Sequence, residues 1–453
     1  MRIAACVVSG SSYGHTTKIE SDKTESDSIH QRTPKPWNQR VKERLDDWES
    51  SKDILYKAFV SAKAYIGNVC RLCSQELKVY VKCLTCKVTC CATCEQTLHC
   101  NSPFHERSLF TDTVSENLLP TSFINTDGNM IQQACICFLD YRRCCSVCCS
   151  YKLPELCLHP GSEKIAVVTK EGRFDLSYPE FKCSECEGVM KAAENDLISS
   201  GWWPGSPKNM SYLFSADLLI MWNHLVHKTP GTSERKFIET LCEISKRSGW
   251  SGTIRRQTFA ISNKYYQYME YLVEVEAKLR ELFTCKACVR RPLAMHIDGI
   301  MKLYRWLSSK GVDYSQLLND IGIVSDAVFQ EHKEKINQNK PKLRKVSKDT
   351  CGGASYKAGK SDSVNGRTGL AETGIVFCTC RHGYLLRGVD MEKGETYHHV
   401  HYLNDYAILY SGYWMKGAGL TTGETTEQSN SKMARYGSST KHMSRASVFE
   451  NAS

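Results

Sequence analysis

The sequence lacks any apolar run of the ~18 residues that a helix needs to span a bilayer. Its N-terminal stretch, MRIAACVVSGSSYGH, is apolar over too short a length for a secretory signal. Apolar residues are also scarce in residues 1–36 after Val8, and residues 415–453 are rich in Gly, Ser and Thr without a periodic apolar pattern. These absences exclude a membrane-spanning protein, predict an intracellular one, and predict disorder in both terminal segments.

The sequence also lacks a strong excess of charge of either sign. Its 59 Lys and Arg residues against 49 Asp and Glu residues give a formal net charge of +10. This mild basic excess permits a polyanionic partner such as DNA without requiring one. Hydrophobic residues at 41% and charged residues at 24% are ordinary for globular proteins, and 453 residues allow two or three domains.

Cysteine, in contrast, is abundant, with 24 copies. Cysteines form disulfides or bind metals, and disulfides belong to oxidising compartments to which nothing in this sequence directs the chain. The cysteines recur as CxxC pairs with histidines nearby, which is a spacing typical of zinc ligands. We therefore predict zinc binding rather than disulfides.

The densest cluster of these residues lies within residues 70–105. Its ligand candidates form four pairs, namely Cys70 and Cys73, Cys83 and Cys86, Cys91 and Cys94, and His99 and His105. Eight ligands suit two tetrahedral zinc ions, and an interleaved arrangement would join the first pair to the third and the second to the fourth. The metal would supply the folding energy of so short a segment. Cys90 makes one ligand ambiguous, and we choose Cys91 because it forms a CxxC pair with Cys94. The pattern resembles a B-box-type cross-brace finger, which is a closed structural site.

Hydrophobic periodicity predicts the elements of the remaining chain. Apolar residues at steps of three, four or seven from Val41 to Ala62 predict a packing helix within residues 37–67. Residues 201–290 form a mostly helical linker region, and strands follow from Leu293. The basic run at 331–350 predicts a flexible loop, with contact to nucleic acid as the alternative.

Motifs after the first cysteine cluster resemble those of a known family. They are FHER (104–107), EGRFDLSYPEFKCSEC (171–186) and SGWWPGSP (200–207). Together with the cluster they resemble the CxC3-like cysteine-cluster domain that precedes the transposase in Kyakuja–Dileera–Zisupton (KDZ) elements. The resemblance implies that residues 68–200 form such a zinc-binding domain.

A second series of motifs resembles the KDZ transposase domain itself. The series comprises CKAC (285–288), MHIDGIMKLYR (295–305), CGGASYKA (351–358), ETGIVFCTCRHGYLL (372–386) and VDMEKGETYHHVHYL (389–403). The resemblance extends from about residue 50 to about residue 414, and it implies an RNase H-like transposase core over 291–414. It further implies DNA as a partner and the nucleus as the compartment.

An RNase H-like transposase uses a DDE set of carboxylates that converge on two Mg²⁺ ions. The resemblance implies that Asp298 is the first of these carboxylates, and Gly299 beside it lets a substrate approach. Ser411 occupies the position expected for the second Asp, and the chain ends before a distal third carboxylate. We therefore expect a vestigial catalytic site that would bind Mg only if the core were intact. Asp390, Glu392 and Glu395 lie in the DMEKGE segment and are predicted to be surface or turn residues.

The remaining cysteines leave alternatives open. Cys183 and Cys186 form a CxxC pair that predicts a third zinc site with two further donors. The candidates for these donors are Cys135, Cys137, Cys144, Cys145, Cys148, Cys149, Cys157 and His159. Cys285 and Cys288 could likewise pair with Cys351, Cys380 or His382.

The sequence thus predicts an α+β protein with a small zinc-stabilised cross-brace module, a helical middle segment and a truncated RNase H-like core. The favoured function is that of a transposon-derived, zinc-binding, DNA-associated protein without a complete catalytic site, so it is not expected to be an enzyme. One alternative is a B-box-like zinc scaffold for protein partners. The other alternative is a fragment of an active DDE transposase.

Overall fold

The computed structural model describes most of the chain between residues 35 and 441. The described ranges are 35–63, 69–111, 115–140, 144–148, 156–250, 252–277, 285–288, 295–309, 322–339, 369–392, 394–408 and 424–441. The chain folds as two compact units, Met1–Asn68 and Val69–Ser453. The described part of the first unit is one helix, α1 (Trp37–Lys63), in the segment where the apolar periodicity predicts one.

The second unit begins with a small sheet and one short helix. Its elements are β1 (Tyr80–Cys83), β2 (Val88–Cys90), α2 (Ala92–His99), β3 (Arg107–Phe110) and β4 (Ser115–Asn117). The strands pair antiparallel in the order β2-β1-β3-β4. Cys83 ends β1 and Cys91 immediately precedes α2, whereas Cys70 and Cys73 lie in a turn before β1. The fold brings these separate pairs together.

A five-stranded sheet forms the centre of the second unit. A separate hairpin of β5 (Ser122–Ile124) and β6 (Met130–Gln132) precedes it. The strands of the central sheet are β7 (Leu156–Thr169), β8 (Gly172–Cys183), β9 (Val189–Lys191), β10 (Trp202–Pro204) and β11 (Tyr212–Ser215). Their order is β10-β11-β7-β8-β9, and β11 runs parallel to β7 while the other pairs are antiparallel.

Both faces of the central sheet are buried, which explains the apolar run Ile165–Val168 in β7. Ile165 and Val167 face one core, and Ala166 and Val168 face the other, because successive side chains of a strand point to opposite faces. The turn into β8 requires glycine at Gly172. The φ of Gly172 is +120°, and a Cβ at this position would lie 2.4 Å from Ser245 Oγ.

Four helices follow or flank this sheet. They are α3 (Glu194–Ser199), α4 (Ala216–Lys228), α5 (Glu234–Arg247) and α6 (Arg256–Glu276). Leu218 of α4, Leu241 of α5 and Phe259 of α6 pack on one face of the sheet. The prediction of a mostly helical region over 201–290 did not include β10 and β11. Trp202 and Leu213 face one core, whereas Phe214 faces the other, so their pattern is that of strands.

A second, smaller sheet lies in the C-terminal part of the second unit. It contains β12 (Met295–Ile300), β15 (Gly374–Cys380) and β16 (Leu385–Met391), which pair antiparallel in the order β12-β15-β16. A two-stranded ladder of β13 (Arg305–Trp306) and β14 (Leu370–Glu372) adjoins it in sequence. The helices of this part are α7 (Asp326–Asn339), α8 (Tyr397–Ile408), α9 (Glu424–Met433) and α10 (Gly437–Thr440).

The two faces of this sheet are covered by different helices. Phe329 of α7 and Leu403 of α8 pack with Val376 and Val389 on one face. Met433 of α9 and Tyr436, in the turn that follows α9, pack against the core on the other face. Ile375 and Phe377 point to one face of the sheet, and Val376 points to the other. The apolar side chains on both faces explain why β15 is buried on both sides.

Two expectations about irregular segments are therefore corrected. Residues 424–441 of the predicted disordered tail form helices, because Met433 and Tyr436 bury apolar surface although the segment around them is polar. The basic run at 331–350 begins within α7, since residues 331–339 are helical. None of the helices in the described ranges combines the length and apolarity needed to cross a membrane.

Candidate metal centres

Four clusters of cysteine and histidine side chains lie in the described part of the second unit. In each cluster, four ligand atoms lie within 4.8 Å of one another. The clusters are numbered here in chain order. Cluster one contains Cys70, Cys73, Cys91 and Cys94, and cluster two contains Cys83, Cys86, His99 and His105. Cluster three contains Cys145, Cys148, Cys183 and Cys186, and cluster four contains Cys285, Cys288, Cys380 and His382.

Clusters one and two bring together the first segment's eight candidate ligands in the interleaved arrangement. In cluster one, the Sγ atoms of Cys73 and Cys91 lie 3.7 Å apart. Cys90 lies outside the cluster, and its buried thiol points to the Val81 carbonyl oxygen at 3.7 Å. Cys91, at the N-cap of α2, is therefore the member of the adjacent pair that the fold directs to the cluster.

Cluster one has an electrostatic reason to take a cation. Burial raises the pKa of the Cys70 thiol, but backbone N–H groups of Cys73, Cys91 and Leu72 outweigh it and bring the pKa to about 6. Burial and the neighbouring cysteines have the opposite effect on Cys94 and raise the pKa of its thiol. A divalent cation would allow all four groups to be thiolates, because its charge offsets their mutual repulsion.

Cluster two combines two thiols and two imidazoles. Cys86 Sγ lies 3.0 Å from His105 Nδ1 and 3.6 Å from His99 Nε2. Burial, followed by the charges of Arg107 and His105, lowers the pKa of His99 to about 4. The neutral imidazole that results is the form that binds a metal.

A buried ion pair lies behind His99, and it was not among the residues predicted from the sequence. Glu95 Oε1 lies 3.8 Å from His99 Nδ1 and forms an ion pair with Arg107, and the side chains of all three residues are fully buried. A carboxylate that accepts a hydrogen bond from a metal-binding histidine orients its ring. At 3.8 Å, Glu95 is beyond hydrogen-bond distance of Nδ1, so it places negative charge behind His99 without a hydrogen bond. Glu95 precedes His99 by four residues in α2, so the two share a helix face, and this spacing was the available signal.

Arg107 links this ion pair to the next part of the fold. Its guanidinium donates hydrogen bonds to the carbonyl oxygens of Leu119 at 2.8 Å and Pro120 at 2.9 Å. It also lies 4.5 Å from the ring centroid of Phe123. The last residue of the FHER motif therefore joins cluster two to the segment that enters β5.

Cluster three completes the pair Cys183 and Cys186 with two of the eight candidate donors. Cys145 Sγ lies 3.7 Å from Cys186 Sγ, and a backbone N–H of Cys148 is the main reason that the pKa of Cys145 falls to about 7. Cys135 instead points to the Pro120 carbonyl oxygen at 3.5 Å, and His159 lies 3.8 Å from Glu180. Cys137, Cys144 and Cys157 are outside the cluster, and Cys149 lies outside the described residues.

Cluster four joins the segment before β12 to the turn between β15 and β16. His382 Nδ1 lies 3.2 Å from Cys288 Sγ, 3.5 Å from Cys285 Sγ and 4.0 Å from Cys380 Sγ. Of the three candidate partners of Cys285 and Cys288, Cys380 and His382 thus join the cluster. The third candidate, Cys351, lies outside the described residues. The cluster uses residues nearly a hundred positions apart in sequence, so a bound metal would fix the sheet at this end.

Asp298 lies apart from all four clusters. It is exposed within β12 rather than at the strand's end, and it pairs with Phe377 of β15. Its carboxylate accepts hydrogen bonds from the Gly299 backbone N–H at 2.9 Å and from the Asn430 amide at 2.5 Å. Within the described ranges, no group of three or more potential ligands includes Asp298.

The acids of the DMEKGE segment do not complete a site with Asp298. Asp390 is buried in β16, at 7% exposure, so its prediction as a surface or turn residue is wrong. A Cβ on Gly299 would lie 3.1 Å from Glu395 Oε2, which assigns Glu395 to the face opposite Asp298. Glu392 is exposed and accepts a hydrogen bond from Gln330. Ser411 lies outside the described residues.

The donor sets of all four clusters fit a metal ion, and they define a protein with several cysteine-rich clusters that could hold metal ions. Comparison with known families extends this description. The model of the CxC3-like cysteine cluster associated with KDZ transposases matches residues 133–248, and that of the Kyakuja-Dileera-Zisupton transposase matches residues 292–409. The chain belongs to the KDZ transposase family. No curated protein and no solved structure matches it.

The matched ranges contain one cluster completely and half of another. The first range contains the whole of cluster three and extends into α5, and the second contains Asp298, Cys380 and His382. Clusters one and two lie before both ranges, as they lie within residues 70–105.

Proposed function

We propose that this chain is a zinc-stabilised, DNA-associated protein derived from a KDZ transposase, without a complete catalytic site. The observation that carries the proposal is the gathering of sixteen Cys and His side chains into four groups of four. Each group has the number and chemical type of donors that zinc takes in structural sites. None of the four groups keeps a position for a reacting water, so their role is to hold the fold.

Zinc is favoured over other metals by the donor atoms. Thiolates and imidazoles are soft or borderline ligands, whereas Mg²⁺ and Ca²⁺ take oxygen ligands. Clusters one and three offer four sulfurs, cluster two offers two sulfurs and two nitrogens, and cluster four offers three sulfurs and one nitrogen. These are the compositions of structural zinc sites.

DNA association is supported by the family and by a basic cleft on the central sheet. The cleft has a volume of about 310 Å³ and is lined by Lys164, Arg173 and Arg255 together with Asp175 and other residues. Arg173 is held by Asp175 and by the Thr253 carbonyl oxygen, while Lys164 and Arg255 are exposed at the rim. Two exposed cations around a concave surface suit contact with a phosphate backbone.

Catalytic incompleteness is supported by the surroundings of Asp298. Two-metal catalysis needs several carboxylates that converge on the same pair of ions. Asp298 instead is hydrogen-bonded to Asn430 of α9, and Glu395 lies on the opposite face of the strand. The assignments of residues 291–414 as an RNase H-like core, of residues 68–200 as the cysteine-cluster domain and of the nucleus as the compartment belong to the same proposal.

A scaffold for protein partners is the second candidate function. Clusters one and two each present an exposed leucine from the loop inside a CxxC pair, Leu72 at 53% and Leu84 at 48% exposure. Exposed apolar residues on a rigid, metal-held loop suit a protein partner rather than a phosphate backbone.

The test is the salt dependence of DNA binding by the zinc-loaded full chain. We expect binding to random-sequence duplex DNA that weakens steeply between about 50 and 200 mM salt. The double variant Lys164→Gln/Arg255→Gln is expected to lower the slope of log K against log[salt] by about 2. The control Lys246→Gln removes an exposed cation of α5, outside the cleft, and is expected to leave the slope unchanged.

The same mixtures with Mg²⁺ added test the catalytic part of the proposal. We expect no strand cleavage, and no difference between the unmodified chain and Asp298→Asn. Cleavage that Asp298→Asn abolishes would establish an active transposase fragment. Absence of DNA binding at low salt would leave the scaffold as the better function.

A further inference from the structure

We propose that α1 is a dimerisation element, through which two copies of this chain form a parallel two-stranded coiled coil. The inference concerns a segment that neither family match covers, because both matches begin after residue 130. It is independent of the DNA-binding proposal.

The first argument is the exposed apolar surface of α1. The helix is 27 residues long and lies in its own compact unit. Eight of its large apolar side chains are exposed, and four of these, Leu45 at 61%, Trp48 at 68%, Leu55 at 44% and Phe59 at 61%, lie along one stripe. A contiguous apolar stripe of this size on a soluble helix marks an interaction surface.

The second argument is the period of the stripe. Val41, Trp48, Leu55 and Ala62 recur every seven residues, and Asn38, Leu45, Lys52 and Phe59 form a second series at the same interval. The two series alternate at steps of four and three, which is the a and d pattern of a heptad repeat over nearly four heptads. A seven-residue period favours packing against another long helix in a supercoil, rather than packing against the surface of a globular domain.

The third argument identifies the partner as a second copy in parallel orientation. With Leu45 at position a, Arg44 is a g residue and Glu49 is the e residue of the next heptad. In a parallel dimer the g residue of one helix meets that e residue of the other, so Arg44 would face Glu49 of the second copy twice. In a parallel self-pairing, the one g–e pair in which both residues are charged therefore carries opposite charges.

Polar residues at position a limit the assembly to a low order. Lys52 occupies an a position, and its amine lies 3.1 Å from Glu49 of its own helix. A single polar residue at an a position specifies register and oligomeric state at some loss of stability. Asn38 is the other polar a residue, near the start of the helix.

The experiment is sedimentation equilibrium of the zinc-loaded full chain. We expect a dimer for the unmodified chain and a monomer for Leu45→Glu/Leu55→Glu, which places charges in the seam but keeps good helix formers. The matched control is Ile54→Glu, because Ile54 is 73% exposed but occupies a c position outside the seam. This control is expected to remain dimeric, and metal content shows that each variant is folded.

Charge reversal tests the orientation. Arg44→Glu is expected to weaken the dimer at least several-fold, and Arg44→Glu/Glu49→Arg is expected to restore it. A monomeric unmodified chain overturns the proposal. A dimer that survives Leu45→Glu/Leu55→Glu, or that Ile54→Glu also dissociates, overturns it as well.

Discussion

Arg107 and Glu95 are fully buried and form an ion pair. Neither residue is a ligand in cluster two, but both lie next to His99, which is. Breaking such a pair by removing one partner leaves a buried charge and costs about 3–5 kcal/mol. The remaining charge would lie next to His99, whose pKa burial already lowers to about 4. Burial and the charge of Arg107 both lower the pKa of His99, so they favour the neutral, metal-binding form of the ring.

Glu95→Gln is expected to weaken metal binding at cluster two while the other clusters keep their metal. The loss of a carboxylate behind a metal-bound histidine lowers metal affinity about 10- to 100-fold. Competition with a chromophoric chelator measures this, as about one metal ion in four would be released at lower chelator concentration. Glu116→Gln, at an exposed acid of β4, serves as the control. Equal release from both variants would mean that Glu95 does not support His99.

At the level of the elements, cluster four connects two segments that only the tertiary fold brings together. Cys285 and Cys288 come just before β12, whereas Cys380 ends β15 and His382 lies in the following turn. A metal at this cluster would hold β12 against β15 at the Met295–Cys380 end of the ladder. The chain segment that connects these two strands is long. A metal that joins its two ends is therefore expected to lower the entropy of the unfolded chain and to stabilise the sheet.

His382→Ala is expected to release one metal ion and to increase amide exchange in β12, β15 and β16. The central sheet, β7 and β8 above all, is expected to keep its protection, since cluster four does not touch it. Hydrogen–deuterium exchange measured peptide by peptide makes the comparison. Cys157→Ser, at an exposed cysteine outside all clusters, is the control and should change neither metal content nor exchange. Unchanged exchange in β12 would indicate that the metal does not hold this end of the sheet.

The elements differ in how much of them the sequence could predict. The CxxC spacing predicted the interleaved pairing of clusters one and two, because each pair lies on a tight turn and its partners are close in sequence. The partners of Cys183 and Cys285 could not be chosen, since they depend on long-range strand pairing. The strands β10 and β11 were missed because three or four residues give too short a pattern. α9 was missed because its polar sequence shows few apolar positions.

For the whole molecule, metal and fold are expected to be inseparable. Metal ions bound at the four clusters would hold the first small sheet, the edge of the central sheet and the end of the smaller sheet. The first sheet packs against a small apolar cluster, whose buried residues are Val81, Leu118 and Ile124. Cys145 and Cys183 of cluster three, in contrast, lie within a large apolar core. Metal binding would therefore supply part of the folding free energy of the unit.

Native mass spectrometry of the full chain is expected to show four zinc ions per chain and no disulfide, with loss of structure on chelation. Acidification should likewise release zinc and cause loss of structure, over a defined pH range. Burial lowers the pKa of His99 from 6.5 to about 4 in the folded chain, so the unfolded chain binds more protons between these values. Stability at cluster two therefore falls as the pH drops from about 6.5 towards 4, and proton competition for the thiolates adds to the loss.

Metal content and circular dichroism measured together from pH 7.5 to 4 would distinguish this behaviour from simple acid unfolding. If metal supplies the folding energy, zinc release and loss of structure should coincide, and excess zinc should move both midpoints to lower pH. Structure that persists after all zinc has been released would show that the apolar cores are sufficient without metal. Disulfides in place of metal would contradict both the zinc assignment and the intracellular compartment, because disulfides and zinc-bound thiolates belong to different redox environments.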